Sequence, residues 1–462
     1  MRLIITISRI VVGSLFIVSG LIKMNDALGF MYKLEEYFEP GALNMEWLAP
    51  YALPLAVFIV IAEVLLGVAL LVGALPKLTS SLTLVLMLFF TWLTFYTHTC
   101  DPLGTTTIIN EAGVEEVIAN QCVLECGCFG NAIPLTPYES FLKDVFLLIF
   151  VIPIFIGAWL GRIKLNEPKE AIFIYAISIL ITAIFSMVML DWLFPPLFTA
   201  ISLIVAAGIQ RRVSHKSKEW IMALGILVVC GITQYRTLAH LPMKDYRPYA
   251  IGQNILDNMK SAEELGKEPP EYATEYTFRN VNTKQDTMIL STEWLKIYNE
   301  DWFKNNYEAF DATDDKPGTY DGPEVKIKDG YEPLIVDLEL MTYDGLDMTY
   351  DILEDEGYVF LQISNTLGKT EESAQDRFNT LARQAGENGH RFFAVTNASY
   401  DEAETYRHKH EAAYPFLNCD QTELKIIVRS NPGLVLIKNG VVIEKWAWRD
   451  VPTWSEAQEI MK

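Results

Sequence analysis

The sequence predicts a membrane all-α domain followed by a water-soluble α/β domain, and three observations carry that reading. Seven apolar stretches long enough to cross a bilayer fall within the first 235 positions. Residues 236–462 hold 24 Lys+Arg against 41 Asp+Glu, whereas residues 1–235 hold 13 against 17, so most of the net charge of −21 lies in the second part. From about residue 331 apolar strand-like segments alternate with helical ones, the pattern of a parallel α/β core.

The spans read as about 3–24, 51–75, 79–99, 139–161, 171–191, 194–210 and 219–235. Positive charge in short connections marks the cytoplasmic side. With the N-terminus inside, the inner segments hold Arg2, Lys77, the Arg162–Lys169 group and the Arg211–Lys218 group. The outer segments hold only Lys23 and Lys33, and 99–137 has neither Lys nor Arg. Seven crossings then leave residues 236–462 outside, in the periplasm, if the membrane is a bacterial inner (cytoplasmic) membrane. The first span lacks a small-residue cleavage site and is followed by further spans, so it reads as an uncleaved helix.

The outer loop concentrates cysteine. Cys100 ends the third span, and "NQCVLECGCFGNAIPLTP" places Cys122, Cys126 and Cys128 ahead of the fourth. The Cys-x3-Cys-x-Cys spacing fits none of the common zinc templates well, although His98 beside Cys100 keeps a metal site open. A Cys100–Cys122 bond would close a loop of about 20 residues, worth about 3 kcal/mol in the chain-entropy model. A Cys126–Cys128 bond would close a very small ring, with Gly127 supplying backbone freedom, and small strained rings are the labile, exchanging kind. The expected arrangement is a structural Cys100/Cys122 staple plus a reactive Cys126/Cys128 pair. Other pairings, and two plain staples, remain open.

"RIVVGSLFIVSGLIKMNDALGF", "AEVLLGVALLVGAL" and "ECGCFGNAIPLTPYESFLKDVFLL" resemble the DoxX/MauE family of four-helix membrane proteins over about residues 3–161. The Cys-Gly-Cys-Phe-Gly stretch is the most specific part; Arg9 and Ser19-Gly20 are less so. The resemblance implies a four-helix bundle, with about three further transmembrane helices following it, and a link to thiol–disulfide or quinone-linked chemistry. Fold analogy alone does not establish an activity.

Arg9, Glu63, His98 and Asp144 lie in or near the spans and form a candidate intramembrane polar pocket. A charge in the bilayer core costs at least about 2.5–3.5 kcal/mol, so such residues are paired or functional. Arg9–Glu63 is the expected pair, and Lys23, Asp26 and Lys143 read as span-end residues that snorkel. The bland role is helix packing; the sharper one is a pocket holding a quinone headgroup beside the cysteines. Cys230 reads as a small buried apolar residue.

Residues 236–330 read as a linker plus a small β-rich unit, with strand pairs around "EYTFRNVNTKQDTMIL". Beyond about 331 come "YVFLQIS" as a strand, a helix from Lys369 to Gly386 or Gly389, "RFFAVTN", the helix "SYDEAETYRHKH", then "LKIIVRS", "NPGLVLIKNG" and "VVIEKWAW". The last two form a hairpin across Lys438-Asn439-Gly440.

That order, and "SNPGLVLIKNGVVIEKW" in particular, resembles the thioredoxin fold in its TlpA/peroxiredoxin-like branch. The resemblance covers about 333–462, treats "VDLELMTYDGLDMTYDIL" as the opening hairpin, and implies a cis peptide at Pro432. Thioredoxins place Cys-x-x-Cys after the first core strand; here "SNTLGKTEESA" stands there. The domain is therefore a degenerate member, and Cys419, a candidate partner thiol, is its one cysteine.

The spread of acid, without a basic stripe, argues against nucleic acid. P-loop, dinucleotide, zinc-protease and nucleophile-elbow signatures are absent from the sequence. Two readings remain: a thiol–disulfide oxidoreductase acting through Cys126 and Cys128, or a non-enzymatic anchor whose acidic domain binds another envelope protein. Transport ranks last, since the spans show no paired broken helices. The expected partners are membrane lipids and an envelope or periplasmic protein.

Overall fold

In the computed structural model, residues 1–101, 104–109, 115–123, 127, 129–214, 217–311, 316–318 and 324–462 are described. Seven helices among them are long and apolar enough to span a membrane. In chain order the helical part is α1 (Arg2–Asn25), a short α2 (Ala27–Phe38), α3 (Ala52–Val72), α4 (Pro76–Thr99), α5 (Pro137–Trp159), α6 (Pro168–Phe185), α7 (Phe194–Arg212) and α8 (Lys218–Ala239). The α6 span continues through a π-turn to Leu190. The protein is a multi-pass membrane protein. Apolar residues such as Phe58, Val85, Phe146 and Ile172 stay exposed on the spans, as side chains facing lipid do.

Local sequence explains the ends of these helices. Thr136 and Glu139 form a capping box ahead of α5, with Pro137 in its first turn. Helix α3 stops at Gly73, whose φ of +80° suits glycine. Helices α1 and α3 pack closely enough that a Cβ on Gly67 would lie 2.8 Å from the Gly13 carbonyl oxygen. Membrane helices lack a hydrophobic drive toward each other, so small residues that allow such approach hold the pair.

Antiparallel traverses bring one set of connections together at one end of the bundle: residues 26–51, the end of the cysteine loop, 191–193 and the segment after Ala239. Ile22, Phe129, Ile133, Trp192, Met243 and Tyr246 meet there in an apolar cluster.

Residues 101–120 and 255–336 form a separate compact unit. It holds β1 (Thr105–Ile109) paired with β2 (Glu115–Ala119), α9 (Ile255–Met259), β3 (Glu271–Asn280), β4 (Asp286–Leu290), α10 (Ser291–Ile297), α11 (Asp301–Asn306), β5 (Tyr307–Asp311), β6 (Lys316–Pro317) and β7 (Glu324–Lys328). Strand β3 pairs with β4, β5 and β7, and its Phe278 packs against the rings of Trp294 and Phe303.

The soluble α/β domain has α12 (Thr349–Leu353), β8 (Tyr358–Ser364), α13 (Gln375–Glu387), β9 (Arg391–Thr396), α14 (Tyr400–Lys409), β10 (Phe416–Asn418), α15 (Gln421–Ile427), β11 (Gly433–Lys438), β12 (Val441–Ala447) and α16 (Trp454–Ile460). The sheet order is β10-β9-β8-β11-β12, with β8, β9 and β10 parallel and β11 and β12 antiparallel. This is thioredoxin topology, and the Asn431-Pro432 peptide preceding β11 is cis. Asn439 and Gly440 take positive φ in the two-residue β11–β12 turn. "LKIIVRS" contributes the end of α15 and a bend rather than a strand. The opening "hairpin" is reduced to a bridge from Met341 to Asp347. This domain and the helical bundle belong to one compact unit, made of 1–100, 121–254 and 337–462.

Candidate functional site

Cys100 and Cys122 are bonded, with a Cα–Cα distance of 5.7 Å. Cys126 and Cys128 lie outside the described residues, but their neighbours Gly127 and Phe129 do not. Gly127 has φ +69° and rests against helix α2: a Cβ there would sit 3.1 Å from Lys33 Cγ. The Phe129 ring lies 6.2 Å from that of Phe185 and takes the Lys143 ammonium 5.2 Å above it.

Beneath Phe129 is a cavity of about 330 Å³ between α1, α4 and α5. Its wall is mostly apolar (Phe16, Met87, Phe90, Leu147), but two ion pairs line it. Lys23 Nζ lies 2.6 Å from Glu63 Oε1, donates to Ser19 Oγ at 3.0 Å and faces the Phe90 ring at 5.1 Å. Lys143 Nζ lies 2.7 Å from Asp144 Oδ1, and Thr94 donates to Asp144 Oδ2 at 3.1 Å. Lys23, Glu63 and Asp144 are each at most 4% exposed. An apolar chamber with a few converging polar groups is the usual form of a small-molecule site.

Above Phe129 a larger cleft of about 600 Å³ is bounded by α2, the 242–247 segment and α15. Gly127 is on its wall. Lys23 and Phe129 line both cleft and cavity, and so form the partition between a polar opening and an apolar chamber.

The polar residues singled out by sequence are not gathered in one pocket. Glu63 and Asp144 face the cavity. Arg9 does not reach Glu63: its guanidinium donates to the Leu70 and Leu71 carbonyls and to Asn166 Oδ1 at 2.8–3.2 Å, at the opposite end of α1 from Lys23. A guanidinium with several fixed donors can be satisfied by helix-end carbonyls, so it needs no carboxylate. His98 is exposed on the flank of α4, 5.1 Å from the Tyr138 ring, and does not line the cavity. Lys23 and Lys143, read as snorkelling, are the cations that reach the carboxylates. Their signal was spacing: Lys23 stands one helical turn beyond Ser19, on the same face. Among the described residues, no group of His, Cys, Asp and Glu is assembled for a metal ion.

Cys419 is 3% exposed, and its amide donates to the Thr396 carbonyl. Burial, reinforced by Glu423, pushes its thiol up to about 12. A thiol held neutral and covered does not exchange, so a mixed disulfide between Cys419 and the membrane loop is disfavoured. In the folded protein Cys419 is expected to stay unlabelled by maleimide at pH 8 and to label fully in denaturant, as read by mass spectrometry. Since the folded value is raised, the stability linked to this thiol is complete below the free-thiol value and declines as pH climbs to about 12.

The edge where a thioredoxin carries its dithiol faces the bundle. Ser364 ends β8, Asn365 and Thr366 follow it, and Asn431 Nδ2 donates to the Thr366 carbonyl at 2.9 Å, tying this edge to the Pro432 loop. Arg429, in that loop, meets Asp26 at 2.8 Å. Burial alone would raise the Asp26 carboxyl, but Arg429 and Arg247 hold it below the ordinary range. The sequence signalled neither Arg429 nor an ion pair at Asp26, for the two residues are 403 positions apart.

Residues 1–100 match the family model "Methylamine utilisation protein MauE". No curated protein matches the chain. Two solved structures are similar to part of this chain. A solution structure described as a putative protein disulfide isomerase from Bacteroides thetaiotaomicron is 12% identical, covers 27% of this chain and 82% of that chain, and has a TM-score of 0.23. A mutant of PrxQ from Xylella fastidiosa is 16% identical, covers 30% of this chain and 95% of that chain, and has a TM-score of 0.21. The order and directions of the five strands identify the fold without help from those scores. The chain thus carries a membrane segment that matches the MauE model over residues 1–100 and a thioredoxin-like α/β domain without a Cys-x-x-Cys dithiol.

Proposed function

We propose that this protein exchanges thiols and disulfides at the outer face of a bacterial inner membrane through Cys126 and Cys128, in communication with a lipid-soluble carrier in the cavity below. The observation that carries the reading is the shared partition. Gly127, between the two cysteines in sequence, lines the polar cleft, and Phe129, directly after them, lines both cleft and cavity. Gly127 and Phe129 thereby meet a cleft on the water side, where protein thiols arrive, and Phe129 meets a cavity with a mostly apolar wall as well. The positive charge of the inner connections supports an N-terminus in the cytoplasm and a periplasmic C-terminal domain, a compartment where disulfides persist.

Closing a Cys126–Cys128 disulfide from two thiols releases two electrons and two protons. A quinone, when bound, accepts both pairs on becoming a quinol. The residues present fit such a headgroup: Lys143 brings an ammonium, Lys23 a positive charge, Glu63 and Asp144 bring acceptors, and most of the rest of the wall is apolar. In this role Lys23 and Lys143 orient polar oxygens, and the carboxylates hold or move protons.

The anchor reading is favoured by a different fact, the absence of a dithiol in the thioredoxin-like domain. One experiment separates the two. Mass spectrometry of the purified protein, titrated with mild reductant, is expected to show Cys126 and Cys128 opening before Cys100–Cys122, and Cys126→Ser or Cys128→Ser is expected to trap or abolish mixed disulfides with envelope proteins. Unchanged envelope thiol status in both single variants, with loss of stability alone, would establish the anchor instead.

A further inference from the structure

Helix α2 touches Gly127 on one side and the thioredoxin-like domain on the other. Asp26 caps α2, its Oδ1 accepting from the Gly29 amide at 2.9 Å. The same carboxylate receives Arg429 Nε at 2.8 and 3.0 Å, and the two side chains are 24% and 7% exposed. Arg429 also donates to the Lys425 carbonyl. A Cβ on Gly29 would come within 2.8 Å of Arg429 Nη2, so the helix start and the guanidinium are in direct contact. One turn on, the Tyr32 ring lies 4.8 Å from Lys425 Nζ and 5.3 Å from the Arg429 guanidinium. The next residue, Lys33, is the one against which Gly127 rests.

We propose that Arg429 and Asp26 are positioning residues, a latch through which the Pro432 loop of the thioredoxin-like domain fixes helix α2 and, through Lys33, Gly127, the residue between Cys126 and Cys128. The domain then serves as a built-in clamp and not as a recruiter of clients: Arg429 of its cis-proline loop is engaged by Asp26 and lies against the Tyr32 ring of its own chain. An ion pair this covered is costly to break from one side, because the remaining charge stays buried. The latch therefore keeps α2 in one place while the cleft beside it stays open.

The inference builds on the redox reading for one of its two readouts only. The full-length protein in nanodiscs is compared with Asp26→Asn, Arg429→Gln, the double variant and Arg429→Lys. Asparagine keeps the capping oxygen and removes the charge, so α2 retains its start. The readouts are amide hydrogen exchange of residues 27–38 and the maleimide labelling rate of reduced Cys126 and Cys128. Each single loss is expected to speed both by about tenfold as α2 opens locally. The double variant should add less than about twofold to either single, as coupled partners do. Arg429→Lys should fall between. Cys100–Cys122 stays bonded throughout, which reports an intact loop. Unchanged exchange in α2 for both single variants overturns the latch. Should the wild-type Cys126/Cys128 pair fail to open or label at all, the redox reading falls, and α2 exchange still decides the latch. If Asp26→Asn does not accumulate, the graded pair Arg429→Lys and Arg429→Gln decides it from the other partner: faster α2 exchange supports the latch, and unchanged exchange in both overturns it.

Discussion

Glu63→Leu is expected to lower the stability of the membrane part by about 3–5 kcal/mol, because it strands the Lys23 ammonium in an apolar wall. Lys23 is 4% exposed, and Glu63 contributes both of its closest oxygens, at 2.6 and 2.8 Å. Ser19 remains as an acceptor, but a hydroxyl does not neutralise a charge. Thermal unfolding in detergent, followed by loss of monodisperse protein, measures the effect. Lys23→Met combined with Glu63→Leu removes both charges and is expected to recover most of that loss, since replacing a whole buried pair by apolar groups is close to neutral. The two variants also divide structure from chemistry. If the pair only packs helices, the double variant keeps thiol exchange. If the pair serves the cavity, the double variant folds and exchange is lost. A Glu63→Leu protein as stable as the parent would mean that Lys23 turns away from the cavity and finds water or another partner.

The second large effect is expected at the staple. Cys100→Ser with Cys122→Ser should cost about 3 kcal/mol, the loop-closure value for the 22-residue separation. The midpoint of unfolding should fall accordingly, and reductant should lower the midpoint of the parent to the same level. At permissive temperature the double serine variant is expected to keep exchanging through Cys126 and Cys128. Loss of exchange in a folded double variant would transfer the redox role to Cys100 and Cys122 and reverse the assignment of the two pairs.

Much of the fold was legible because the relevant signals are local. A run of about 20 apolar residues commits a segment to a helix across lipid, whatever the rest of the chain does, since an unpaired backbone group in hydrocarbon is too costly. The seven spans follow from that alone. Asn439-Gly440 between two apolar strands makes a tight turn for the same reason of locality, both residues tolerating positive φ. The missing dithiol after β8 was equally plain, and so was the cis-proline segment.

The site was less legible, and Arg9 shows why. Arg9 and Lys23 are both on α1, 14 positions apart, which is about 21 Å along a helix. Either could be matched with Glu63 on paper. The direction of α3 beside α1, and the close contact that Gly13 and Gly67 permit, put Glu63 at the Lys23 end and the Leu70 and Leu71 carbonyls at the Arg9 end. Similarly, Cys419 was a thiol of unknown exposure until the sheet and α15 closed over it.

What the sequence by itself determined was the division into an apolar helical part and an acidic α/β part, the crowding of cysteines in one loop, and the loss of the thioredoxin dithiol. Only the tertiary structure decided which charges pair, that a cavity and a cleft meet at Lys23 and Phe129, and that Arg429 closes on Asp26. Hydropathy and turn chemistry act over a few neighbouring residues, whereas ion pairs and cavities depend on the spatial meeting of segments tens to hundreds of positions apart, where many pairings satisfy the same one-dimensional pattern.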